Sequence, residues 1–492
     1  MSGPRRRPAG APTAAAAAPH VARSGPILAV LACAQFVVVL STSIVNVALP
    51  QVRDGVGLSG TGMAWVINAY GLAFGALLLL GGRVADLLGR RRVLNAGLVI
   101  FTAASAAAGI ATGGGVLIAA RAAQGVGAAA VAPAALSLVM QVFPPGPARG
   151  KALGVWGAVS GAGGAAGVLL GGVLTEGLGW RAVFFASALA AAAVLAVGLR
   201  VLPDSATTGD GLRSLDIGGA LAVTLGLVAL VYGLTTAGRS GWTDTWVLAS
   251  IAVAVVLLVL FAVLELRHPR PLLPPRLVRV GAVAPANVVM ALLGGVWVGL
   301  FFFLPLYQQQ VLGDSPLRAG VTQLPLAVAN MIGAAIAPRL ARRIGATPTL
   351  TAGMTLLAAG LLWLSQISAD GSFTGDILGP TVVVGLGLGA AFVQLTGAAV
   401  AGVPAKDGGL AGGLVNTTRQ IGGALGLAVL GTLAASRTEA ARGTTHIVAL
   451  TDGYRIAFLV SAAIAVVGTA LTPLLARRAT DPATPTPAAE RS

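Results

Sequence analysis

Apolar residues in this chain come in long runs rather than in alternation. A helix needs about 20 mainly apolar residues to cross the hydrocarbon core of a bilayer. Runs of that kind begin near residues 26, 62, 93, 115, 152, 181, 216, 245, 286, 320, 348, 377, 410 and 454. The pattern predicts an all-α membrane protein with about 14 transmembrane helices. Its least marked boundary separates the runs at 216 and 245, where Gly241, Trp242 and Asp244 mark a turn. Residues 1–25, rich in Pro, Ala and Arg, read as a disordered tail. The next run extends from Pro26 to Leu49. That exceeds the roughly 7–15 apolar residues of a signal peptide, so it reads as an uncleaved first helix.

Loop Lys and Arg orient such a chain, because they are retained on the cytoplasmic side. With the amino terminus inside, the inner segments hold 23 Lys and Arg, including Arg5, Arg6, Arg7, Arg83, Arg90, Arg91, Arg92, Arg213, Arg342 and Lys406. The outer segments hold seven: Arg53, Arg181, Arg239, Arg318, Arg437, Arg442 and Arg455. This asymmetry predicts a multi-pass protein of the cell membrane with both termini cytoplasmic. Two arginines, Arg121 and Arg419, fall inside apolar runs instead.

Composition narrows the function classes. The chain is 56% hydrophobic and 10% charged, where a soluble domain carries about 25% charged residues. Its net charge of +16 is scattered between apolar runs rather than gathered on one patch, which argues against nucleic acid. Cys33 is the single cysteine, so neither an intramolecular disulfide nor a cysteine metal cluster is available. His20, His268 and His446 lie outside the apolar runs. No metal site, phosphate-cradling nucleotide loop or convergent catalytic set is evident, so the expectation is no enzyme and no cofactor. The expected partners are a small-molecule substrate and the lipid bilayer, with the chain as a monomer.

The segment GGRVADLLGRRRVL, Gly81 to Leu94, places Gly82, Asp86 and Gly89 ahead of Arg90 and Arg91. Two glycines suit a tight turn between helices, and Asp86 can hold one packed state by charge, against an arginine or a helix N-terminus. The segment resembles the loop signature of the major facilitator superfamily, G-x-L-A-D-R-x-G-R-K, with Val84 in place of Leu. A degraded copy, PRLARRIGA from Pro338 to Ala346, aligns Leu340, Ala341 and Gly345 with Val84, Ala85 and Gly89. Arg342 there stands where Asp86 stands. The resemblance and the repeat imply a major facilitator fold: two pseudo-symmetric six-helix halves, at 26–202 and 286–475. A two-helix region at 203–285 is inserted between them, and 476–492 forms a cytoplasmic tail.

Helix 4 reads LIAARAAQGVGAA from Leu117 to Ala129. An arginine in an apolar helix costs about 2.5–3.5 kcal/mol on insertion scales, so Arg121 is expected to face the bundle interior or water. Snorkelling to the interface is its other option. Leu117, Arg121, Gln124, Gly125 and Gly127 match the superfamily's helix 4 motif, which implies a part in proton coupling. Helix 5 carries Gly157, Gly161, Gly163, Gly167, Gly171 and Gly172. Of these, Gly163, Gly167 and Gly171 are spaced by four and make a flat packing face. The stretch resembles the antiporter motif, followed by Trp180, Arg181 and Phe184, although Val168 occupies the position of its proline.

LSTSIVNVALP from Leu40, PLYQQQVLGDSPLRAG from Pro305 and GLAGGLVNTTRQIGGALG from Gly409 resemble the fourteen-helix drug:proton antiporters. The resemblance spans roughly residues 26–475 and implies export of drug-like or antibiotic molecules, with the proton gradient as energy source. Uptake of a metabolite and handling of a lipid-like substrate stay open. The chain departs from the branch at Ser41, where many relatives carry aspartate. None of its 16 Asp and Glu falls at mid-membrane in this reading. The cavity is expected to be lined by Gln35, Ser41, Asn46, Asn68, Gln124, Asn330, Gln394 and Asn416, with Arg121 and Arg419. Such a cavity is neutral to positive and suits neutral or anionic substrates, with Trp65, Trp156 and Trp297 beside the path.

Overall fold

The computed structural model describes residues 24–143, 146–203, 216–268, 271–404, 407–441 and 443–479. Most of both tails lies outside these residues, as do Arg5, Arg6, Arg7, Arg213, Lys406 and Arg442. Ser24 and Gly25, read as tail, open the first helix, and residues 476–479, also read as tail, close the last one. Among the described residues there are 14 long helices and no strand. They are α1 (Ser24–Val56), α2 (Gly60–Leu88), α3 (Arg90–Gly109), α4 (Gly114–Val142), α5 (Pro147–Leu178), α6 (Arg181–Val201) and α7 (Ile217–Ser240). Then follow α8 (Thr245–Arg267), α9 (Val283–Gln310), α10 (Leu324–Ile344), α11 (Ala346–Leu364), α12 (Leu378–Val400), α13 (Gly408–Ala440) and α14 (His446–Ala479). Among the described residues 13 helices are long and apolar enough to cross a membrane, and α5 adds a shorter apolar stretch, Ala162–Leu178.

Local chemistry ends these helices where the sequence signals an end. Gly89 alone separates α2 from α3, with φ 95°, and its N–H donates to the Ala85 carbonyl. Gly345 repeats the device between α10 and α11, with φ 97° and a bond to the Ala341 carbonyl. The two loop copies thus share a backbone as well as a residue pattern. The boundary at 241–244 is also formed, since Asp244 caps α8 by accepting from the N–H groups of Trp246 and Val247. Gly82 differs from expectation. It lies within α2 rather than in a turn, because one positive-φ residue suffices to reverse the chain.

Lipid tails are as apolar as leucine, so helices in a membrane associate by close packing rather than by escaping water. Gly163 on α5 meets Phe36 and Val39 of α1, Gly167 meets the Leu40 carbonyl, and Gly171 meets the Ile44 carbonyl. A methyl group at Gly171 would collide with that backbone, and one at Gly167 with the Ser43 hydroxyl. The same partnerships recur eight helices later: α1 with α5 as α9 with α13, α2 with α4 as α10 with α12, and α3 with α6 as α11 with α14. Helices α7 and α8 pair with each other, and α7 rests on both α2 and α13. Most of α8 is exposed, including Val253, Val256, Val259 and Leu266.

The first six helices meet the last six at the end of the bundle remote from Gly89. There Gln309 Nε2 donates to the Val47 carbonyl at 2.9 Å, and the Leu317 N–H donates to Glu176 Oε2 at 2.9 Å. Elsewhere α2 lies along α13, where Gly75 accommodates Gln420.

Candidate functional site

Arg121 stands at the centre of the first helix group and is 1% exposed. Its Nε donates to the Val66 carbonyl at 3.0 Å, and its Nη1 to Gln124 Oε1 at 2.9 Å. Nη1 also reaches Ser41 Oγ at 3.3 Å and the Ser41 carbonyl at 3.4 Å. Gln124 in turn donates to Ser105 Oγ at 2.6 Å. The guanidinium carbon sits 4.5 Å above the Tyr70 ring, whose hydroxyl donates to the Val38 carbonyl. One side chain therefore ties α1, α2 and α4 together directly and α3 through Gln124. Gly125 makes this possible, since α2 presses against it at Tyr70 and Phe74. Snorkelling is ruled out by the burial. Among the described residues no carboxylate takes part, and the buried cation is balanced by neutral acceptors and a ring face.

The polar residues expected around it are unevenly satisfied. Asn46 and Asn68 are buried, with the Asn46 Oδ1 and both Asn68 amide atoms lacking a partner. Gln35 Oε1 is likewise sealed and unanswered. Asn46 and Asn68 thus lie enclosed, not on an open cavity wall, because helix packing closes over them.

A second cluster lies on the second helix group. Arg419 on α13 donates from Nη2 to Asn416 Oδ1 at 3.3 Å. Its guanidinium carbon is 5.8 Å from the Trp297 ring of α9 and 5.9 Å from the Phe392 ring of α12. Trp297 also packs on Phe392 at 5.8 Å and on Phe301 at 6.0 Å between centroids. Arg419 Nε is buried without a partner, while Asn416 is exposed. Asn330 and Gln394 are half-buried and make no hydrogen bond with this cluster. Trp65 packs against an apolar cluster shared by α2, α7 and α13, which includes Leu72, Leu227, Val231 and Ala424, and Trp156 against the interior apolar cluster of the first group.

The loop at Gly89 is a charged clasp. Asp86 Oδ1 accepts from Arg90 Nη2 at 3.3 Å and from Nε at 3.4 Å. Arg90 Nη1 reaches the Ser137 carbonyl and Gln141 Oε1 of α4, and Arg91 donates to the Leu199 carbonyl of α6 at 2.6 Å. A half-exposed ion pair contributes only about 0–1 kcal/mol to stability. The value of this one is positional, because it links the α2–α3 turn to α4 and α6. The copy at Gly345 has Arg342 instead of an acid, and among the described residues it has no such ion pair.

Tyr70, Glu176 and Gln309 are site residues that sequence reasoning missed. Tyr70 sits in an apolar run with nothing to mark its face. Glu176 reads only as an outer acid, and Gln309 as one of three consecutive glutamines.

A family model for the Major Facilitator Superfamily matches residues 31–427, and the chain belongs to that superfamily of membrane transporters. It is 42% identical over 413 residues to the cephamycin export protein CmcT of Amycolatopsis lactamdurans, covering 83% of this chain and 85% of the relative. It is 42% identical over 454 residues to the puromycin resistance protein pur8 of Streptomyces alboniger, covering 91% and 90% respectively. Among solved structures, an autoinhibited POT family peptide transporter superposes with TM-score 0.67 at 18% identity, over 95% of this chain and 99% of that one. A bacterial homologue of the lysosomal transporter Spinster gives TM-score 0.64 at 15% identity, over 94% and 99%. At these identities the two structures establish the shared fold.

Proposed function

We propose that this chain exports amphipathic, antibiotic-like small molecules across the cell membrane by alternating access. The observation that carries the reading is the match at 42% identity, along more than four-fifths of the chain, to relatives named for antibiotic export and resistance. The geometry supports it. Two groups with repeated partnerships, 26–202 and 286–475, meet along a seam that holds Arg419, Asn416, Trp297 and Phe392. One end of that seam is closed by Glu176 and Gln309. Rocking of the groups about it would expose the same side chains to either face in turn.

The arginine-rich end, with the Gly89 clasp, faces the cytoplasm in this reading, and both termini lie there. The chain acts as a monomer and performs no bond chemistry. Its energy source is the proton gradient, with no resident cofactor. Arg121, Gln124 and Gly125 form the coupling element, because they lock α1–α4 into one unit around a buried charge. Gly82, Asp86, Gly89, Arg90 and Arg91 form the conformational clasp.

The test is a drug-susceptibility panel in an efflux-deficient bacterium, with and without the chain. The reading requires a raised inhibitory concentration for at least one antibiotic and lowered cellular accumulation of that compound. An unchanged panel at verified membrane expression would overturn it.

A further inference from the structure

Two cations occupy the interior, and they are treated differently. Arg121 is engaged by acceptors from Val66, Ser41 and Gln124 and is covered by Tyr70. Arg419 makes one hydrogen bond, at 3.3 Å to Asn416, and its buried Nε meets no acceptor. No carboxylate pairs with it among the described residues. A guanidinium offers five N–H donors in a planar fork that matches a carboxylate in two-point contact. Most of the Arg419 fork is therefore uncommitted, at the seam where the two helix groups meet.

The surroundings fit the other end of such a ligand. Trp297 and Phe392 stand 5.8 and 5.9 Å from the guanidinium carbon, and Phe301 continues the aromatic wall. The geometry points to Arg419 as the receptor for an anionic group, foremost a carboxylate, on an aromatic substrate whose rings pack on Trp297 and Phe392. The assignment rests on the reading of this seam as the transport path. Asn416, exposed and already accepting from Arg419, has its amide N–H groups available to the same anion. Arginine holds this role better than lysine because the fork fixes the carboxylate's plane as well as its charge. A lipophilic cation at the same place meets like charge and no acid.

The test uses the purified full chain and three probes of one shape: 2-naphthylacetate, 2-naphthylacetamide and (2-naphthylmethyl)trimethylammonium. Their dissociation constants are measured by calorimetry. The carboxylate binds at least tenfold tighter than the amide, and the quaternary ammonium binds weakest. In Arg419→Gln the carboxylate falls to within twofold of the amide. Arg419→Lys lies between. Equal binding of carboxylate and amide by the native chain overturns the assignment, as does a gap that survives Arg419→Gln, or no measurable carboxylate binding. The native comparison needs no variant, so a folding defect cannot mask the answer. Carboxylate selectivity in a chain that exports nothing leaves this site standing and removes the export reading. Export without that selectivity does the reverse.

Discussion

The Ser41 hydroxyl lies 3.3 Å from Nη1 of Arg121. The position where the resemblance to the fourteen-helix antiporters implies an aspartate is thus, in this chain, a neighbour of a buried guanidinium. Sequence alone suggests that Ser41→Asp would recruit lipophilic cations. The geometry suggests otherwise. The new carboxylate would pair with a cation already desolvated and add a charge-assisted bond of about 1.5–3 kcal/mol. The expected outcome is a higher unfolding temperature and ethidium efflux within twofold of the native chain. A severalfold gain in ethidium efflux with no stabilisation would show that position 41 faces the path instead.

Arg121→Lys preserves charge but cannot serve the acceptors on Val66, Ser41 and Gln124 from one fork. Export should fall more than tenfold at normal membrane abundance. Native transport by the lysine variant would reduce the network to a charge requirement.

Asp86→Asn removes the acid that holds Arg90, while Arg90 keeps its acceptors at Ser137 and Gln141. The α2–α3 turn therefore survives, and what is lost is the bias toward one conformation. Expression and thermal stability should be near native and export lost. Transport at the native rate would remove the clasp from the mechanism.

Glu176 joins α5 to the segment after α9 through the Leu317 N–H. Glu176→Ala should loosen that end of the seam. Val47, which is fully buried there, reports on it. In a Cys33→Ser background, Val47→Cys should react several times faster with an external, membrane-impermeant thiol reagent once Glu176 is replaced. An unchanged rate would mean that the closure rests on packing alone.

Helix number was legible because run length alone decides whether a segment spans a bilayer, and even the boundary at Gly241 to Asp244 was formed. The loop copy at Gly345 was legible through Leu340, Ala341 and Gly345, although its acid is missing. Which residues meet in the interior was not legible. A helix that is apolar on every face carries no amphipathic pattern to point its inner side. Trp65 and Trp297 look alike in sequence, yet one packs on an apolar cluster shared by α2, α7 and α13 and the other joins Arg419. Asn68 and Gln124 are also alike, yet only Gln124 finds partners.

Inverted membrane vesicles energised by respiration test the central claim most directly, since an exporter then accumulates its substrate inside. The compounds that the susceptibility panel identifies are supplied outside, and their uptake is followed with and without a protonophore. The account predicts concentrative uptake that requires the chain, fails in Asp86→Asn and collapses with the protonophore. Chain-dependent accumulation that survives collapse of the proton gradient, or no accumulation of any compound, would contradict it.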